Sequence, residues 1–220
     1  DPTYTSLEKL ERECKANGKS VSSTLGGGLQ GHLGLVCSTA AYNRISPGAP
    51  FVRPTLPVLP PLDTSTAYQI EAATQRYAYE IAIFTACNLI ERTIIQQINT
   101  ALDEDCLADL IDNDTGLLEG TIPHIIQTLF DTYGSITPQS LATAKAKVEA
   151  VTYNHGRPIV TIFTEINEYA SMAEAAHAAE TTEQLINLGI IIIPRSTIFS
   201  NDIRTWPDKP IPDRTLPNFK

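Results

Sequence analysis

Positive charge is in short supply in this chain. Sixteen lysines and arginines face twenty-five acidic residues, a formal −9 over 220 residues. That balance lays down no electrostatic footprint for a nucleic-acid backbone, so such contact needs a local basic patch or a segment outside this sequence. The four cysteines, Cys14, Cys37, Cys87 and Cys106, are far apart and form no C-x-x-C pair. Free, packed thiols in a reducing compartment are expected. No run of about 18 apolar residues suggests a membrane span, and no signal peptide is visible. His32, His124, His155 and His177 stand in separate segments without zinc spacing, and no nucleophile elbow is present. The expectation is a non-enzymatic protein with no catalytic residue, no metal and no cofactor.

Glycine and proline are concentrated instead of scattered. Gly26, Gly28 and Gly31 satisfy G-x-G-x-x-G on paper. No β-branched strand precedes them and no βαβ unit follows, so they read as a turn for close backbone packing. His32 reads as a hydrogen-bonded residue of that turn. Pro47 to Pro61 holds six prolines in fifteen positions. It predicts an extended polyproline-II-like segment, excluded from helices and central strands. Phe51, Val52, Leu56, Val58 and Leu59 make it too apolar for a free linker, and it is expected to lie across a groove of its own subunit or a neighbour. Asp112 to Gly116 resembles the opening of a calcium loop. It lacks the later glycine and glutamate, so a polar turn is expected.

The remainder is helical in period. The longest pattern runs from Thr66 to Leu102, opened by a Thr66/Gln69 capping box. Ile70, Tyr77, Phe84, Cys87, Ile94 and Ile98 mark its apolar stripe. A two-stranded coiled coil is the alternative to a bundle helix. Glu91 within a wide stripe favours the bundle, with a kink expected near Glu91 or Asn99. Further helices are expected at 5–16 (capping box Thr5/Glu8, stop at Asn17-Gly18), 103–110 and 122–133. Another runs over 137–152 and is broken at Asn154-His155-Gly156. Helices over 158–177 and 181–193 follow, the last ended by Pro194. A short helix capped by Ser196 runs to Trp206, and a last one begins near Asp213. Ile190 to Ile193 is strand-like in composition, but the Thr181/Gln184 box favours a helix end, with two of the four isoleucines filling their own core. The fold class is all-α. The chain starts at Asp1 and stops within a pattern at Phe219-Lys220, as expected for a piece of a longer polypeptide.

The order of these pieces resembles a known family. STLGGGLQGHLGLV (23–36), PFVRP (50–54) and QQINTALDEDCLADL (96–110) come first. IIQTLFDTYGSITPQSL (125–141), IFTEINEYASMAEAAHAAETTEQLINLGIIII (162–193) and TLPNFK (215–220) follow. Together they resemble the Gag capsid protein of copia-type LTR retrotransposons, of the kind found in diatoms and related algae. The resemblance implies a two-domain retroviral-capsid-like helical bundle, with an amino-terminal domain over 1–152 and a carboxy-terminal one over 158–220. Pro158, Ile159 and Phe163 are placed like the core of the major homology region, a strand-turn entering a helix. Its polar Gln and later Arg are not evident here.

On that reading the function is structural: self-assembly into rings of five or six copies and a virus-like shell around retrotransposon RNA, in the cytoplasm. The partner is the chain itself. RNA is reached only through segments absent from this chain, and no membrane is involved. Leu185, Leu188, Ile190 and Ile191, with Phe51 and Val52 of the proline segment, are the expected assembly contacts. The alternative is a domesticated Gag-derived or unrelated helical adaptor that binds a protein partner.

Overall fold

The first helix, α1 (Tyr4–Ser20), starts on Thr3, whose side chain accepts from the Ser6 amide while Ser6 reaches back to the Thr3 amide. This box displaces the expected one at Thr5/Glu8. The earlier start places Tyr4 against Phe130, ring centroids 5.5 Å apart. The helix also passes through Asn17-Gly18, the expected stop. One of its orphan terminal carbonyls, that of Gly18, is satisfied by the His32 amide at 2.8 Å, so packing against the glycine-rich segment carries the helix on. The computed structural model describes all residues except 1, 60–65, 153–155, 157, 194–198 and 220. The Asn154-His155 break, the Pro194 stop and the Ser196 cap fall outside the described residues. Among those described the protein is all-α, with one isolated antiparallel bridge, Ile111 to Leu118.

The chain divides into two compact units, residues 1–134 and 135–220. The division therefore lies ahead of the helix over 137–152, which was expected to close the first domain. That helix packs on the two helices that follow it.

In the first unit, short 3-10 turns at Leu25–Gly27 and Leu33–Leu35 lead to α2 (Thr39–Ile45). An extended proline segment follows, described to residue 59. Then come α3 (Ala67–Ala101), a short α4 (Glu104–Leu107) and α5 (Ile122–Tyr133). Leu7, Leu10 and Cys14 of α1, Cys87, Ile94 and Ile98 of α3, and Ile122, Ile125 and Leu129 of α5 form one core. His32 is buried, as its turn requires, with Nδ1 3.2 Å from the Val21 carbonyl.

The capping box on Thr66 and Gln69 is present, and α3 runs unbroken for 35 residues, about 52 Å at roughly 1.5 Å per residue. The expected kink is absent. Glu91 is accommodated because Arg53 of the proline segment pairs with it and also donates to Asn88 Oδ1 at 3.3 Å. Only the carboxy-terminal half of α3 is buried by neighbouring helices, through Cys87, Ile94 and Ile98. The amino-terminal half is flanked instead by the proline segment, with Val58 beside Ala73 and Tyr77.

In the second unit, α6 (Pro138–Glu149) opens on a Thr137/Ser140 box with proline at its start. The segment Pro158-Ile159 turns directly into α7 (Val160–Ala175); the strand implied for a homology region is not formed. The chain passes His177 in the left-handed region (φ 57°), with the Ala178 amide closing on the Ala173 carbonyl at 2.9 Å. This is a Schellman-type end with histidine in the usual glycine place. Next come α8 (Thr182–Ile192, boxed by Thr181/Gln184), α9 (Ser200–Thr205) and α10 (Leu216–Phe219). The core joins Val148, Ile162, Phe163, Ile166, Leu188 and Ile192.

Candidate interaction surfaces

No group of three His, Cys, Asp or Glu side chains able to hold a metal occurs among the described residues. His32, His124 and His177 lie on separate elements, and His155 is outside the described residues. The Asp112 to Gly116 segment is an Asx-type turn. Asp112 Oδ1 accepts from the Thr115 hydroxyl and amide, both at 2.7 Å, and from the Asp114 amide at 3.1 Å. These bonds, Thr115's first, hold the Asp112 carboxyl below its ordinary range. Cys14, Cys37 and Cys87 are buried free thiols, each pushed upward chiefly by burial, Cys14 to about 11. These groups serve the fold.

At the end of α8 the isoleucine run divides. Ile192 and Ile193 are buried, Ile190 is half-buried, and Ile191 is 47% exposed. Leu188 is buried in its own unit, and the half-buried Leu185 packs against the same core. Of the expected α8 contacts, Ile191 with the edge of Ile190 reaches solvent, while Leu188 is spent on the core. In the proline segment Phe51 turns inward, its ring edge-on to Tyr42 at 5.7 Å. It covers Gly34, where an added Cβ would lie 2.1 Å from the ring. Val52, its neighbour, is 67% exposed. Phe51 is thus an intramolecular anchor and Val52 the exposed member of that pair.

Pro158 is exposed and Ile159 half-buried, while Phe163 is 3% exposed and edge-on to Phe219 at 6.0 Å. Phe219 stands 4.9 Å from Trp206 in turn. Phe163, Phe199, Trp206 and Phe219 line an open groove of about 330 Å³. Sequence reasoning did not anticipate Trp206 and Phe219 as core partners of Phe163; isolated aromatics amid prolines carry no period to read.

A polar cluster also escaped it. Glu180, with its side chain 9% exposed, accepts from Lys145 Nζ at 2.8 Å and from the Tyr169 hydroxyl. Those bonds, Lys145's first, hold the Glu180 carboxyl below its ordinary 4.5, while burial and the Glu180 bond raise Tyr169. Glu180→Gln is expected to lose about 1–2 kcal/mol, reduced from the fully buried case because Lys145 is 40% exposed. The wild-type contribution is fully present above pH 4.5 and disappears as pH falls through the lowered folded value. Urea midpoints followed from pH 7 to pH 3 check this. The variant's stability deficit should shrink at the acid end, and a constant deficit refutes the ion-pair account.

No helix of the described residues is long and apolar enough to cross a membrane. Comparison with protein-family models, curated proteins and solved structures finds no match to this chain.

Proposed function

We propose that this chain is a structural capsid protein of the Gag type, assembling with copies of itself into a virus-like shell around retrotransposon RNA in the cytoplasm. The observation that supports it is the ordered run of Gag-like segments along an all-α chain whose two units each have a separate core. Such a shell uses weak repeated contacts in closed symmetry. Ile191 and Val52 are exposed apolar positions available for them. With a charge of −9, RNA packaging falls to basic segments outside this chain.

Sizing the purified chain and viewing it by negative-stain microscopy test the reading. Megadalton particles are expected; a stable monomer or dimer overturns it. That outcome favours an adaptor, for which the aromatic groove at Trp206 and Phe219 is the place to seek a bound peptide. Within the capsid reading, Ile191→Asp lowers particle yield while helical content stays unchanged. Normal particles from this variant remove α8 from the contacts.

A further inference from the structure

Charge is segregated along the first unit. Residues 14–62 hold four lysines or arginines and no acid, whereas residues 93–134 hold eight acids and no lysine or arginine. Folding gathers three of those cations, Lys15, Lys19 and Arg44, around an open groove of about 610 Å³ bordered by α1 and α2. Leu33, Cys37 and Ala41 give it an apolar floor, and Ile45 beside them is 49% exposed. Lys15 is committed to Glu11 at 2.6 Å. Lys19 and Arg44 are exposed and have no ion pair among the described residues. Such a groove fits a partner that offers an apolar side chain between carboxylates. A nucleic-acid backbone brings the charge but nothing for the floor.

The chain itself carries a partner of that kind. Leu117 is 66% exposed on the turn that the Asp112 carboxylate holds, while the adjacent Leu118 is buried in the core. Asp114 and Glu119 flank Leu117, and both are exposed with no ion pair among the described residues. The Asp112 amide donates to the Leu117 carbonyl and the Glu119 amide to the Leu110 carbonyl, each at 2.9 Å. The turn is thus shaped in advance and loses little freedom on docking.

We infer that the 112–119 turn of one copy docks in this groove of another, with Leu117 on the apolar floor and Asp114 and Glu119 toward Lys19 and Arg44. The proposal rests on the self-association part of the capsid reading and not on the shell. Turn and groove are different patches of the chain, so a copy can hold one neighbour through each.

The test is complementation between two charge-reversed forms of the full chain, followed by sedimentation at low salt. Lys19→Glu with Arg44→Glu spoils the groove and keeps the turn; Asp114→Lys with Glu119→Lys does the opposite. Each form alone self-associates about tenfold more weakly than the wild type, and an equal mixture recovers to within about threefold. Recovery also shows that both forms are folded. Leu117→Ala weakens association about tenfold at low and at high salt, since its contact is apolar. No recovery on mixing, unchanged association in either form, or a monomer at all concentrations overturns the proposal. A groove variant that self-associates normally but is no longer retained on heparin assigns the groove to a polyanion and overturns it too. Particles that persist in both unmixed forms leave the shell standing and sink this contact. Association that recovers on mixing yet never builds particles does the reverse.

Discussion

Phe163→Ala destabilises the second unit by about 3–5 kcal/mol, the cost of removing a large buried aromatic from its core. Phe163 is almost wholly buried, and its ring is the edge-on partner of Phe219. Phe219 in turn lies over Gly189 of α8, where an added Cβ would be 2.4 Å from its ring. Emptying the Phe163 site therefore removes a wall from the seat of Phe219 and loosens the terminal segment from α7 and α8. For a unit of this size a fall in Tm of more than about 10 °C follows. Trp206 is the chain's single tryptophan and touches the same ring, so its fluorescence follows the loss directly. An unchanged Tm with unshifted emission excludes Phe163 from the core.

Gly31→Ala is expected to cost about 3–4 kcal/mol, left-handed strain plus overpacking. Gly31 has φ +55°, and an added Cβ would stand 2.5 Å from the carbonyl oxygens of both Lys19 and Val21. Those are backbone atoms, which cannot rotate away. Gly48→Ala is the control: its φ is +83° but nothing lies within 4 Å, leaving only the intrinsic left-handed penalty of about 1–2 kcal/mol. Urea unfolding of the two variants checks the difference. Equal costs would mean that the glycine-rich segment does not press against the end of α1.

The G-x-G-x-x-G pattern shows where sequence reasoning reached its mark and where it stopped. The missing strand excluded a nucleotide loop, and close packing was the expected use of Gly31. That the partner would be α1 was not legible, because the contact joins segments with no shared period. The caps at Thr66, Thr137 and Thr181 could be read because each box is local chemistry between residues three apart. The box at Thr3 was missed because serine, and not glutamate, fills the third helical position.

Glu91 could be located as a misfit in an apolar stripe, yet its remedy, Arg53, lies in a segment with no pattern linking it to α3. The Lys145–Glu180–Tyr169 cluster was hidden for the same reason.

The proline segment sets an order of events in folding. Its closing contact, Arg53 to Glu91, joins residues 38 apart in sequence, whereas every backbone bond within α3 spans a single turn. Local contacts form early and distant ones wait for chain closure. Polyproline-type backbone has no internal hydrogen bonds to organise it in advance. The long helix is thus the template and the proline segment the late arrival, and Glu91 stays without its arginine partner until that last step is complete.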